Sequence, residues 1–283
     1  MDKICWANTN EFDESDFVIV GIPDESQSHA LRQGTEEAPS RIREISHKRD
    51  SYSREGKMSL GLPYSISTQR KVYDYGNIDR IQIAEVYDQI CSKSKIPIAM
   101  GGDHSITTHV LKALSNNIGK FSLVYFDAHP DFVSSTTNYY GSVFYDVLPH
   151  IHVDTSIQIG IRTPEKEELE NIKKYNLKVI TPFDIAEKGL SEISDFILNT
   201  IGDKVYVSFD MDCIDPSYAP GVSVPVPMGL NSVDAVYLLK KIVKHGIVGM
   251  DIMEVCPSYD VKDRTSHLAS RIISEVIFGT DLK

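Results

Sequence analysis

Asp127-Ala128-His129-Pro130-Asp131 places two carboxylates and an imidazole at every second position. In extended chain, residues i and i+2 point the same way, so Asp127 and His129 can share a side, with Asp131 close by. Asp210-Met211-Asp212 repeats that spacing with two carboxylates. Gly101-Gly102-Asp103-His104-Ser105 adds a second imidazole in His104. Carboxylates crowded into a semi-buried pocket need cations to compensate them, or they take up protons. Two divalent ions carry four positive charges, which balance Asp127, Asp131, Asp210 and Asp212. The pattern predicts a binuclear metal site. Oxygen-rich ligation with imidazole and no thiolate suits manganese, with Fe²⁺, Co²⁺ or Zn²⁺ as substitutes. Structural zinc prefers Cys and His, and calcium and magnesium usually avoid imidazole. Such a pair of ions bridges a water and lowers its pKa, so the chemistry implied is hydrolysis by metal-bound hydroxide.

Single Asp or His residues at strand ends are commonly turn formers or helix caps. That plain reading gives no reason for Asp-x-His-x-Asp and Asp-x-Asp both to follow buried strands. Cys213 and Cys256 flank the clusters and read as small buried hydrophobes. His150, His152 and His267 read as surface or structural residues.

These clusters need a scaffold. Short apolar runs mark strands at Phe17–Ile22, Val72–Tyr75, Ile96–Met100, Phe121–Phe126, Ser156–Ile159, Lys178–Ile180, Val205–Phe209 and Ile247–Ile252. Helix-period segments lie between most of them, among them Ile81–Ile90, Ser191–Ile201 and Ser232–Val243, the last with Ser232 as a cap. Continuously apolar strands are those buried on both faces of a parallel sheet. The expectation is an α/β fold, a three-layer α/β/α sandwich around a mainly parallel sheet of about eight strands. In such sheets ligands sit beyond the carboxyl ends of the strands. His104, Asp127, Asp210 and Asp251-Ile252-Met253-Glu254 all follow or end a strand, so they converge on one edge.

The chain has 283 residues, 41% of them hydrophobic and 24% charged, with no linker or repeat, and is expected to form one domain over 1–283. Its 29 basic and 40 acidic residues argue against nucleic acid as a partner and mildly favour a cationic ligand. No apolar stretch approaches a membrane span, and the start lacks the apolar core of a signal peptide. The four cysteines are scattered and read as reduced thiols in a cytoplasmic protein.

Gly-Gly-Asp-His-Ser, Asp-Ala-His-Pro-Asp, Ser208-Phe209-Asp210-Met211-Asp212-Cys213-Ile214-Asp215-Pro216 and Asp251-Ile252-Met253-Glu254-Val255 together resemble the arginase/agmatinase (ureohydrolase) family. Gly21-Ile22-Pro23, Gly34…Ala38-Pro39…Ile42-Arg43, Asp74-Tyr75-Gly76-Asn77-Ile78 and Ile159-Gly160-Ile161-Arg162 extend the likeness over nearly the whole chain. The resemblance implies an arginase-like fold holding two Mn²⁺ per subunit, in a homo-oligomer (trimer or hexamer), that hydrolyses a guanidino group to urea and an amine. It implies that His104, Asp127, Asp131 and Asp210 hold one manganese. Asp127, His129, Asp210 and Asp212 hold the other, with Asp127 and Asp210 bridging. It makes Asp131 the residue that orients the hydroxide and Glu254 the receiver of the guanidinium. The departing amine then needs a proton.

Two positions depart from the family pattern. Tyr140-Gly141 stands where the family often has His-Gly, the His acting as proton shuttle. Tyr140 is the catalytic candidate at that position: tyrosine can donate a proton, but its ordinary pKa of about 10 makes it a poor shuttle at neutral pH. Tyr140 then lines the substrate pocket, or a histidine such as His150 substitutes. Val222-Ser223-Val224-Pro225 replaces Thr-Gly-Thr-Pro. The position where arginases carry an Asn for the substrate's carboxylate is Val133, and no fixed cation is evident there. An apolar wall (Val133, Val222, Val224) and an aromatic one (Tyr139, Tyr140) suit a decarboxylated chain. The chain therefore reads as most like an agmatinase, yielding putrescine (the product that feeds polyamine biosynthesis) and urea. Arginase, an aminopropylagmatine ureohydrolase and a catalytically silent metal-binding member are the alternatives. A phosphoesterase would want Arg or Lys beside the metals, and segments 101–105, 127–131 and 210–215 hold none.

Overall fold

Each apolar run becomes a strand because alternate residues bury into different layers. In β1 (Phe17–Ile22), Phe17 and Ile19 pack on one side of the sheet and Val18, Val20 and Ile22 on the other. The computed structural model describes residues 3–48, 53–54, 57–58 and 70–281. Seven further strands join β1: β2 (Val72–Asn77), β3 (Ile96–Gly101), β4 (Ser122–Phe126), β5 (Ile157–Ile159), β6 (Lys178–Ile180), β7 (Val205–Asp210) and β8 (Gly249–Met253). The spatial order is β2-β1-β3-β8-β7-β4-β5-β6, and every pairing is parallel. A separate two-residue ladder pairs Ser53–Arg54 with Lys57–Met58.

Helices cover both faces. α1 (Ala38–Ser46), α6 (Pro182–Thr200), α7 (Ser232–His245) and α8 (Arg264–Gly279) bury their apolar sides in one core. α2 (Ile83–Ser92), α3 (Ile106–Ile118) and α4 (Val143–Asp146) bury theirs in the other, joined there by Ile172 of α5 (Lys166–Lys174). This is the expected three-layer α/β/α architecture. Among the described residues no helix is long and apolar enough to cross a membrane.

Local details differ from expectation. The cap of α7 is Asn231, whose side chain accepts from the Asp234 amide at 2.9 Å, while Ser232 is already the first helical residue. The Ser191–Ile201 segment is the second half of a longer α6 kinked at Gly189, where φ is +80°. Ile81 falls on a 3-10 turn before α2 and faces solvent.

Two sequence motifs meet in this frame. Buried Arg43 on α1 grips Asp74 through Nε (2.9 Å) and Nη2 (2.8 Å) and donates Nη1 to Asn77 at 2.6 Å. The bidentate fork ties α1 to the edge strand β2.

The topology brings the motif strands together. β3, β8, β7 and β4 are four consecutive neighbours at the middle of the sheet, although helices and other strands separate them in the chain. Met253 stands beside Asp210, and Phe126 beside Phe209, so their carboxyl ends lie level.

Candidate metal centre

His104 leaves β3 through Gly101-Gly102, and the loop after β1 presses close there. A Cβ on Gly102 would lie 2.0 Å from the Asp24 carbonyl oxygen, so only glycine fits. The Asp103 amide donates to that same carbonyl at 3.0 Å. Asp127 follows β4 directly, and its Oδ1 accepts the His129 amide at 2.6 Å. Asp210 ends β7, and its Oδ1 accepts the Asp212 amide at 2.7 Å. Asp212 in turn accepts the Ala128 amide at 3.0 Å, which stitches the β4 and β7 loops together. Arg162 braces the β7 loop by donating to the carbonyls of Asp212 (2.7 Å) and Val226 (2.6 Å).

The six residues singled out by spacing come together. His104 Nδ1 lies 3.0 Å from Asp127 Oδ2, 3.0 Å from Asp210 Oδ2 and 3.4 Å from Asp131 Oδ2. His129 Nδ1 lies 3.1 Å from Asp212 Oδ2 and 3.4 Å from Asp127 Oδ1. His104, Asp127 and Asp210 form one group able to hold a metal ion; Asp127, His129 and Asp212 form a second. Within each group one potential ligand atom per residue lies within 4.8 Å of the others, and Asp127 belongs to both. Asp127 Oδ2 is buried and accepts no hydrogen bond. A buried carboxylate oxygen without a donor is costly unless a cation meets it. The donor set, oxygen with two imidazoles, fits a pair of divalent transition ions.

Electrostatics agree. Burial, then the Asp127 charge, pushes Asp131 up to about 6. Burial, then the charges of Asp212 and Asp127, holds Asp210 well above the usual carboxylate range. Burial opposes charge on His129, but Asp212 and Asp127 outweigh it and raise the imidazole to about 12. Burial likewise opposes charge on His104, and Asp127, Asp131 and Asp210 override it. The protein by itself thus gathers protons into this pocket, the role that cations fill when bound.

Glu254 follows β8 and is wholly buried beside the cluster. Its Oε1 accepts the His104 amide at 2.8 Å, and its Oε2 accepts the Ser223 hydroxyl. Burial raises its carboxyl to about 8. Asp131 and Glu254 both adopt left-handed backbone, with φ of +47° and +64°. Side chains with a Cβ rarely take that region, and the strain marks places where aim outweighs backbone comfort.

Tyr140 stands on a 3-10 turn, Tyr140–Ser142, at the rim. Burial, then the charges of Glu254 and Asp131, raises its phenol above the usual value. Val133 is buried, and its amide donates to the Gly141 carbonyl at 3.2 Å, closing the loop that carries Tyr140. Val222 is wholly buried in the core and pairs with Val255 by a strand bridge, so it lines no open wall. Ser223 retains a hydroxyl at the site, so the Val222-Ser223-Val224-Pro225 segment is not wholly apolar there. His150 is bonded to Ser115 Oγ (2.6 Å) near the C-terminal end of α3, the opposite edge of the sheet from Glu254, and cannot substitute for a shuttle. Cys213 and Cys256 are buried free thiols.

Four residues around the cluster have supporting roles that the sequence reading did not assign. Tyr125 stacks on His104 and donates to Asp131 Oδ2 at 2.5 Å. Ser208 lies 2.8 Å from His104 Nε2 and donates to Asp251 Oδ1 at 2.7 Å. Because the Ser208 hydroxyl proton is committed to Asp251, its oxygen accepts Nε2–H, and Nδ1 is left to face the carboxylates. Asp251 is fixed further by Tyr206 (2.9 Å) and Thr107 (3.0 Å). Glu168 accepts the Phe132 and Glu165 amides and anchors the loop after Asp131. The signal for Tyr125 and Ser208 was strand parity: each stands two residues before a ligand candidate.

Residues 15–279 match the sequence model of the Arginase family. An agmatinase of Neisseria meningitidis serogroup C is 34% identical over 276 residues, covering 93% of this chain and 87% of its own length. The agmatine ureohydrolase structure of Thermoplasma volcanium superposes with a TM-score of 0.84 at 30% identity, covering 98% of this chain and 93% of that one. A hypothetical agmatinase from Burkholderia thailandensis superposes with a TM-score of 0.83 at 28% identity, covering 95% and 86%.

Proposed function

The chain belongs to the arginase family, and from that premise we propose that it hydrolyses the guanidino group of agmatine, giving putrescine and urea, with two manganese ions. Residues 1–283 act as one ureohydrolase domain in this reading. His104, Asp127, Asp131 and Asp210 hold one ion; Asp127, His129, Asp210 and Asp212 hold the other. When bound, the ions supply Lewis acidity that makes water a nucleophile at neutral pH. Asp131 orients the attacking water. Glu254 receives the guanidinium, whose forked N–H donors match a carboxylate, and the arriving cation favours the ionised form of this buried acid. Val133 and Tyr140 line the path of the alkyl chain.

The observation that carries agmatine over arginine is that Arg32, Arg80 and Arg162 and the hydroxyls of Ser134 and Ser135 are already engaged. Arg32 donates to the carbonyls of Pro220 and Val222, Arg80 to Asp24 and Ser105, and Arg162 to the carbonyls behind Asp212. Ser134 and Ser135 donate their hydroxyls to Glu167. A substrate carboxylate would meet no arginine there that is not already paired, at a cost that a decarboxylated chain avoids. The test is urea release by Mn²⁺-loaded protein from agmatine, arginine and aminopropylagmatine in parallel. Agmatine is expected to lead; preferred turnover of arginine would sink the substrate assignment.

A further inference from the structure

Hydrolysis of a guanidinium leaves one group unassigned. Water gives its oxygen to the guanidinium carbon. The carbon–nitrogen electron pair passes to the departing amine, which leaves as an ammonium carrying the two protons that water lost. Some group must deliver a proton to that nitrogen as the bond breaks. His104 and His129 face the carboxylate cluster, and Glu254 is needed for the guanidinium. The two phenols at the rim hold their protons too tightly: burial and the Asp131 charge push Tyr139 up to about 12.

One further imidazole reaches this rim. His29 lies on the loop after β1, exposed to solvent. Its ring stacks on Tyr139, with centroids 5.1 Å apart and planes 21° apart, and meets Tyr140 edge-on at 6.0 Å. The loop is seated rather than loose. The Gln27 amide donates to Asp103 Oδ2 at 3.2 Å, and the Gln27 carbonyl accepts the Tyr140 amide at 3.4 Å. One residue thus ties the loop both to the neighbour of His104 and to the turn that carries Tyr140. On the same loop the charged groups are turned away. Glu25 Oε2 accepts the amides of Gly34 (2.7 Å) and Thr35 (2.9 Å), and Asp24 pairs with Arg80 at 2.7 Å. Tyr139 and Tyr140 are the ring partners of His29 from the facing turn.

We infer that His29, clamped by Tyr139 and Tyr140 at the mouth of the metal centre, delivers the proton to the departing amine. The role rests on the ureohydrolase reading above. Imidazole is the side chain whose titration lies nearest neutrality. The imidazolium gives its proton to the amine nitrogen and is left neutral. Its exposure to solvent lets it regain a proton for the next turnover. Tyr139 and Tyr140 then serve as the surfaces that aim it.

The experiment compares wild type, His29→Asn, His29→Ala and His150→Ala in Mn²⁺-loaded form with agmatine from pH 6 to 10. In the histidine variants at position 29, kcat is expected to fall about 100-fold with KM and metal content held within twofold. A fall in rate at alkaline pH is expected of wild type and should be absent in these variants, and free imidazole should restore part of the rate of His29→Ala. His150→Ala should match wild type throughout. An unchanged kcat and pH profile in His29→Asn overturns the role, as does a loss confined to KM. No urea from wild type with two metals bound overturns the proposed reaction and this role with it, so the two failures are told apart.

Discussion

The imidazole of His104 lies flat on the ring of Tyr125, with centroids 4.7 Å apart and planes only 2° apart. His104 comes from the loop after β3 and Tyr125 from β4, strands that are not adjacent in the sheet. The same tyrosine approaches His104 Nδ1 at 3.1 Å and donates to Asp131. A phenol therefore sets both the plane of one candidate ligand and the direction of another.

Replacing Tyr125 by Phe keeps the stack and removes the hydroxyl. Metal affinity should drop about 10- to 100-fold, the usual consequence of losing a residue that orients a ligand. Titration calorimetry with Mn²⁺ reads this directly. Affinity equal to wild type would show that packing alone positions Asp131.

Glu254→Gln keeps the shape and removes the charge proposed to meet the guanidinium. Loss of one partner of a buried charge pair costs about 3 kcal/mol, roughly two orders of magnitude in kcat/KM for agmatine. Metal content should not change. Steady-state kinetics with metal analysis would expose an error if the rate fell less than tenfold.

Chelation should destabilise the fold as well as stop turnover. A ligand at about a hundred times its Kd contributes about 2.7 kcal/mol per site. The gap should widen with pH. The folded pKa of Asp131 is raised to about 6, above its ordinary value of 3.8, and that of Asp210 is raised also. A raised folded pKa gives a contribution that is complete below the ordinary value and is lost as pH rises through the folded one. Metal-free protein should therefore lose stability between pH 4 and 7, where bound ions take the place of the protons. Thermal melts with and without chelator across that window test it; a constant gap would contradict the argument.

Glu168 offers a pH effect away from the ions. Burial raises its carboxyl from 4.5 to about 7. Its contribution is complete below pH 4.5 and is lost as pH rises through 7. Glu168→Gln, tested in metal-loaded protein, should shrink the difference in melting temperature between pH 5 and pH 8. No change in that difference would mean that the two amides it accepts keep the carboxylate charged at no cost.

Sequence alone singled out the candidate ligands that the fold brings together, because period-two spacing after a buried strand leaves a side chain few directions. It also determined the layers: runs such as Phe17–Ile22 are apolar at every position, and only a strand covered on both faces buries them all. What it did not carry was adjacency. β3, β4, β7 and β8 become central neighbours through crossovers whose order no local pattern encodes. Contacts that depend on this adjacency were therefore hidden: Tyr125 on His104, Ser208 between His104 and Asp251, Ser223 on Glu254. His150 is near enough in sequence to Tyr140 to be offered as a substitute shuttle, yet α3 carries its partner Ser115 to the far edge of the sheet. His29, from a loop with no motif of its own, reaches the rim because the Asp103 carboxylate and the turn at Tyr140 both bond to Gln27. Spacing fixes which way a side chain points; only the packing of distant segments decides what it points at.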